Sequence, residues 1–352
     1  MKQRIAYIDA MRGFSMFLVV YSHVLTYTFG KVASGWSLNS IISTLHIPLF
    51  FFLSGFLMYK DKQFKEWTSI SNFLRNKGKV LLVPTLCFSI VFSYIMNVSC
   101  KTILLDRYKF GYWFTYTLFF YFVIYVFGDF VFGRGMKGKR KVMVGIVFSL
   151  MIYAISKYSV VPSCPWINST VSNIIGIPNF QYFIFFFTGA LVKAFFFTID
   201  YALNREKVRM LIIIVFILLQ LVLQLPFSKE KLYTEMLHPL YTILQSFAGF
   251  WGIATVLVFF HRNETRMANS RIGKFLQYIG VRTLDIYLIH SILVLTDMRF
   301  VGIFLAKNGS LILDLMLGIP VSLVIIGLCL LISEVIRCSD ALAKLLFGKV
   351  IK

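Results

Sequence analysis

IDAMRGFSMFLVVYSHV at residues 8–24 and YIGVRTLDIYLIHSILVL at 278–295 are helix-length apolar runs with a few ionisable residues set inside them. Crossing about 30 Å of hydrocarbon at 1.5 Å per residue takes about 20 mostly apolar residues. Runs of that kind recur along the chain, over 8–29, 38–59, 80–97, 112–132, 141–160, 178–198, 208–226, 240–261, 280–305 and 311–337. The expected fold is therefore all-α: a polytopic integral membrane protein of about ten transmembrane helices, in a single domain covering 1–352. No hydrophilic stretch is long enough for an appended domain, and no internal or inverted repeat is visible.

Composition agrees. Of 352 residues, 58% are hydrophobic, 17% aromatic and only 14% charged, whereas a soluble domain carries about 25% charged residues. The chain cannot cover a water-facing surface in the ordinary way and must use lipid as solvent.

The net charge of +21 invites a nucleic-acid reading. The cations, however, fall in short clusters between the apolar runs, such as RGMKGKRK at 134–141, and not along one soluble face. That is how topology is encoded, and basic loops beside anionic lipid need no further partner. Nucleic acid is accordingly excluded as a partner. With the N-terminus inside, inner segments hold about 27 of the 36 Lys and Arg and outer segments about 9. An even number of spans then leaves both termini in the cytoplasm, in a multi-pass protein of the cell inner (cytoplasmic) membrane. The start, MKQRIAYIDAMR, has no small-residue cleavage site after its apolar run, so the first helix is expected to be retained. Cys87 and Cys329 read as small core residues. Cys100 and Cys164 fall in predicted external loops, where they can pair or stay apart. No Cys/His cluster has metal-ligand spacing, and no metal is expected.

An ionisable group in the bilayer costs about 2.5–3.5 kcal/mol on insertion scales, so those present need a reason. Asp9, Arg12 and His23 share the first run. Three positions turn a helix by about 300° and eleven by about 1100°, which returns His23 to within about 20° of Arg12. The stripe, extended by Ser15, Ser22 and Thr26, faces protein or water. Arg12 sits near the inner face and His23 roughly 16 Å further out. Read alone, Arg12 is a snorkelling anchor and His23 a packing residue. The second run adds His46 at similar depth in LHIPLFFFLSGFLMY, with Pro48 suggesting a kink and Gly55 a close helix approach. The ninth adds His290, with Tyr287 on the same face and Asp285 placed to pair with Arg282 or Arg12. Three histidines at compatible depths on three spans point to a shared site. His238 and His261 lie at loop edges and receive no role. Arg75, Lys77 and Lys79, in NFLRNKGKVLLVP, are basic residues at the inner mouth of the third span, either topology determinants or a phosphate clamp. Trp113 reads as an interfacial anchor.

At these residues the chain resembles the membrane acyltransferase-3 family. The likeness lies in IDAMRG with Arg12, ten residues and then His23; in HIPLFFFLSGFL; in the basic segment ending LLVP; in YWF around Trp113; and in YIGVRTLDIYLIH. The pieces fall in family order and cover most of the ten-span core, with a general likeness to fucose 4-O-acetylase-type members. The resemblance implies transfer of an acyl group, usually acetyl from acetyl-CoA, out of the cytoplasm to a hydroxyl of a surface glycan or lipid-linked sugar. It gives His23 the family's essential histidine position and Arg12 its essential arginine, with Arg75, Lys77 and Lys79 loosely matching the basic stretch that meets CoA.

The chemistry suits those residues. A neutral imidazole within hydrogen-bond reach can take the proton of an attacking hydroxyl, the role expected of His23; a transient acyl-histidine is the other route. His46 or His290 can orient it, position the acceptor or stabilise the oxyanion, and Arg12 can meet CoA phosphate. The alternative class is a multi-span transporter or flippase of a glycan precursor, against which stands the lack of paired broken helices. A third reading, a scaffold for glycan assembly, leaves the membrane histidines unexplained.

Overall fold

The computed structural model describes residues 5–30, 38–59, 66–133, 138–158, 170–224, 238–295 and 297–348. In chain order its helices are α1 (Ala6–His23), α2 (Leu38–Met58), α3 (Trp67–Met96), α4 (Cys100–Leu105), α5 (Trp113–Gly133), α6 (Gly138–Tyr158), α7 (Thr170–Ile175), α8 (Phe183–Ala194) and α9 (Phe196–Leu203). There follow α10 (Glu206–Leu223), α11 (His238–Arg262), α12 (Glu264–Asn269), α13 (Arg271–Val281), α14 (Thr283–Leu293), α15 (Arg299–Asn308), α16 (Leu311–Arg337) and α17 (Asp340–Phe347). The described residues are helical or in short connections, with no strand among them. The chain is an all-α, multi-pass membrane protein.

Among the described residues, five helices are long and apolar enough to cross a bilayer: α2, α3, α5, α11 and α16. Their outward residues are apolar too. Leu86 and Ile90 on α3 and Leu331 and Val335 on α16 are all more than half exposed, a pattern that lipid accepts and water does not. Ile177–Ala194 and Phe196–Leu203 pass the same test only when taken together, across a break at Phe195. The remaining expected spans are less regular. α1 carries Asp9, Arg12 and His23; α10 begins with Glu206, Lys207 and Arg209; and the apolar part of α6 is only Val142–Lys157. The ninth run, expected as one helix over 280–305, is corrected to parts of α13, α14 and α15. It breaks at Arg282 (φ −103°, ψ 18°) and again at Met298 (φ −124°, ψ 38°). The third run starts early as well: α3 begins at Trp67, so the basic group lies within the helix.

Two compact units emerge. The first comprises Met1–Leu53 and Phe195–Leu330, the second Ser54–Ala194 and Leu331–Lys352. In the first, α1 lies against α13 so closely that a Cβ on Gly13 would overlap the Leu276 carbonyl oxygen, and one on Gly280 that of Asp9. Small residues are how membrane helices reach such separations. Past His23 the chain widens into a π turn, Val24–Thr28, closed by Phe29 N–H donating to the Val24 carbonyl at 2.9 Å. The Thr28 hydroxyl then donates to the Val294 carbonyl at 2.7 Å, and Met298 N–H to the Thr28 carbonyl at 2.9 Å. Helix α1 and the broken α13–α14 segment thus run alongside in the same direction, from the Asp9–Gly280 end to the Thr28–Met298 end.

In the second unit α17 returns along α3, with Phe347 stacked on Phe88 (6.1 Å) and Arg337 over the Phe347 ring. Gly55 allows the expected close approach, since a Cβ there would meet the Phe186 carbonyl. The connection before α5 is built on buried Lys109. Its ammonium donates to the carbonyls of Leu104 (2.9 Å), Asn173 (3.1 Å) and Asp106 (3.4 Å). Burial lowers the Lys109 pKa from the ordinary lysine value, and Asp106 opposes the shift. Lys109 and Phe110 sit at φ 46° and 50°, a conformation that costs of order 1–3 kcal/mol each and persists only where surroundings enforce it.

Candidate active site

The His23 and His290 rings lie edge to edge, centroids 5.1 Å apart and planes 11° from parallel, with His23 Nδ1 3.0 Å from His290 Nε2. The neighbours decide which nitrogens carry protons. His290 Nδ1 lies 2.7 Å from the Tyr287 carbonyl and 3.1 Å from that of Ile286. Carbonyls only accept, so Nδ1 carries the hydrogen and, in the neutral ring, Nε2 is the acceptor. The short contact then requires His23 Nδ1 to donate. His23 Nε2 is left with a bare lone pair, and it has no hydrogen-bond partner among the described residues. His290 is fully buried whereas His23 is half-buried. Tyr27, packed edge-on to His23 at 5.3 Å, and Thr26 are both exposed just beyond it. His290 is thus sealed in, while His23 keeps part of its ring exposed.

The rest of the α1 stripe is satisfied as its spacing requires. Arg12 donates to the Thr283 hydroxyl at 2.9 Å and pairs with Asp9 at 3.4 Å. Ser15 donates to the His46 carbonyl (3.4 Å) and Ser22 to the Asn39 side-chain oxygen (2.7 Å), while Asn39 donates to Thr26 (3.2 Å). His46 is buried, its Nδ1 2.6 Å from the Ile42 carbonyl one turn earlier, which again makes that nitrogen the donor and Nε2 the acceptor. Helix α2 continues unbroken through Pro48.

The structure therefore gathers Arg12, His23, His46 and His290 in one unit. Tyr287 packs on His290 at 5.7 Å, and Asp285 is buried on the same short helix. The basic group separates. Arg75 and Lys79 are exposed one turn apart on α3, whereas Lys77 turns inward, its ammonium 4.2 Å from the Phe122 ring centroid. All three belong to the second unit. His261 pairs with Asp200 at 2.9 Å and meets the edge of Tyr7. Cys164 lies outside the described residues, as does the side chain of His238. Among the described residues no group of His, Cys, Asp or Glu could hold a metal ion.

Sequence reading missed Thr283 and Asn39, neutral residues whose partners lie on distant segments, and gave no notice of the Gly13–Gly280 contact. The only available signal for the last was a glycine inside each of two otherwise bulky apolar runs.

The first unit thus holds an oriented histidine pair, His23 and His290, and a satisfied Arg12 on the same stripe as His23. The family model described as an acyltransferase domain, of the acyltransferase-3 type, matches residues 5–334, nearly the whole chain, and the protein belongs to that family. No curated protein and no solved structure matches it.

Proposed function

We propose that this membrane acyltransferase is an O-acetyltransferase, moving an acetyl group from cytoplasmic acetyl-CoA to a hydroxyl of an extracytoplasmic glycan or glycolipid, in the cell inner membrane. The observation that carries the reading is the proton order in the His290–His23 pair. Backbone carbonyls hold the hydrogen on His290 Nδ1, His290 Nε2 accepts from His23 Nδ1, and His23 Nε2 is presented as a base. The acceptor hydroxyl oxygen attacks the thioester carbonyl carbon as His23 Nε2 takes the hydroxyl proton. When the tetrahedral species collapses, the C–S bond breaks and the same proton passes to the departing sulfur, giving the ester and free CoA. His290 stabilises the charge that His23 gains in between, because the shared hydrogen can shift toward it. His46, whose Nε2 is left as an acceptor, is assigned to positioning the acceptor's hydroxyl and not to the oxyanion. Arg12, anchored to Asp9 and Thr283 with part of its guanidinium exposed, is assigned to the donor's phosphate.

The test is acetyl transfer in membranes, normalised to protein amount, with acetyl-CoA saturating. His23→Ala should insert normally and lose roughly 10²- to 10⁴-fold in turnover, the range for a positioned base. His23→Gln, which cannot take a proton, should do no better. Near-normal turnover in His23→Ala would sink the assignment.

A further inference from the structure

Trp113, at the start of α5, sits between two other rings in the second unit. Tyr108 packs against it edge-on at 6.2 Å, and Tyr182 lies tilted at 5.9 Å. Tyr108 is 52% exposed, and Trp113 and Tyr182 are half-buried. An interfacial anchor would account for the tryptophan alone. It does not account for the cations beside it.

The Arg107 guanidinium lies 5.2 Å from the Tyr108 ring centroid and donates to the Pro178 carbonyl at 3.3 Å, while its Nε is buried without a hydrogen-bond partner. Lys157 is half-buried, its ammonium 5.5 Å from the Tyr153 centroid. The Ser156 hydroxyl, next to Lys157 in the chain, donates at 3.0 Å to the same Pro178 carbonyl that Arg107 meets, which brings the two cations to one region, and neither has a carboxylate partner among the described residues. Asp106, next in sequence, is engaged elsewhere, accepting the backbone N–H of Tyr108 (2.8 Å) and Phe110 (3.3 Å). Like charges held together away from water repel, so the arrangement favours an anion between them. Unused hydrogen-bonding capacity lies in the same region. Asn179 Oδ1 and Thr117 Oγ1 are buried without partners, and the Asn179 amide donates to the Arg107 carbonyl at 3.2 Å. Buried polar atoms of this kind ask for an explanation. The backbone presenting them is fixed: the Lys109 ammonium ties the 104–106 carbonyls to Asn173, and the Tyr121 hydroxyl donates to the Asn179 carbonyl at 2.7 Å.

Aromatic faces carry negative charge density, which attracts the polarised C–H face of a sugar ring. Paired cations attract a carboxylate or phosphate attached to it. We propose that Trp113, Tyr108, Tyr182, Arg107 and Lys157 form a binding site for an anionic sugar unit of the acceptor, the ring against Trp113 and the anion between Arg107 and Lys157. Only the word acceptor rests on the acyltransferase reading; the saccharide site stands on its own geometry.

The experiment uses the full chain in lipid nanodiscs and calorimetric titration with three probes: a glucuronate-containing tetrasaccharide, the same tetrasaccharide with its carboxylates reduced to alcohols, and a short isoprenyl-phosphate monosaccharide. One of the two anionic probes should bind at least about tenfold more tightly than the neutral one, the value of one charge-assisted contact. Which of the two prevails separates a polymer carboxylate from a lipid-linked phosphate. Arg107→Gln and Lys157→Gln should each remove that preference, Arg107→Lys should keep it, and Trp113→Leu should weaken all three probes. Equal binding of charged and neutral probes, or a preference that survives both glutamine variants, would overturn the site. If the anionic probe binds with that preference, yet no bound probe is ever acetylated by the parent protein, the site stands and the acetyl-transfer reading fails. If acetylation proceeds but Arg107→Gln leaves the acceptor KM unchanged, the acetyl-transfer reading stands and the site fails.

Discussion

At the scale of single residues, His290 is the side chain whose removal should be most informative after His23. It is sealed from solvent and touches the proposed base through one nitrogen, so in the proposed mechanism it acts through His23 and not on the substrate. His290→Leu removes the acceptor for His23 Nδ1–H and frees the ring to rotate or change tautomer. Turnover should fall about 10- to 10²-fold with KM for acetyl-CoA unchanged, because the loss belongs to the transition state. His290→Gln places an amide oxygen near the former Nε2 and should recover part of that loss. Equal activity in the leucine and glutamine variants would leave His290 a packing residue. Much of this site was legible beforehand: Arg12, Ser15, Ser22 and His23 had to share a face because 3.6 residues make a turn. What could not be read was direction. Which nitrogen of His23 is free depends on carbonyls of Ile286 and Tyr287, more than 260 positions away in the chain, and no pattern in 8–24 carries that information.

Helix pairs come next, and there the contact of α1 with α13 governs the site's register. Gly280→Val must push the two backbones apart, at an expected cost of about 1–3 kcal/mol for overpacking, and should displace Arg12 from Thr283 and His23 from His290. Thermal unfolding in detergent should show the loss, accompanied by loss of acetyl transfer. Gly327→Val, where an added Cβ would meet nothing within 4 Å, should change neither. On α3, Arg75 and Lys79 remain candidates for the donor's phosphate by virtue of exposure. The double change to Gln should raise KM for acetyl-CoA and leave turnover at saturation intact, since such contacts bind ground and transition states alike. Lys77→Gln, lost from the Phe122 ring, should affect stability and not KM. The sequence placed these three cations as a group because they are alternate residues; alternate residues on a helix point about 200° apart, which is why the structure divides them. The breaks in the ninth run were foreshadowed by Arg282 within it, but hydropathy cannot tell a charge that snorkels from one that ends a helix.

For the whole molecule, the inner-to-outer imbalance of Lys and Arg remains the argument for orientation. Reporter fusions after residue 32 and near 165 should read outside, and fusions near 137 and at the C-terminus inside; opposite readings at any two sites would overturn the map. The all-α, membrane-embedded character was plain from run length alone, as α2, α3, α5, α11 and α16 bear out. The number of crossings was harder to read because α1, α10 and the α13–α15 segment carry polar residues or breaks where chemistry or packing needs them, and a hydropathy reading rewards uniformity.

The π turn at Val24–Thr28 has a consequence for how this chain tolerates a change of length. A π turn holds one residue more than an α turn over nearly the same path, so the segment immediately beyond His23 stores one surplus residue. Below it, His23 is tied to His290, and above it Thr28 is tied to Val294 and Met298. Deleting Leu25 or Thr26 can therefore be absorbed by relaxation to α geometry, with both anchors kept. Deleting a single residue between Phe14 and Ser22 has no such reserve: it rotates Arg12 by about 100° relative to His23. A scan of one-residue deletions along α1, read by acetyl transfer per unit of inserted protein, should show a single tolerant window, at 24–27.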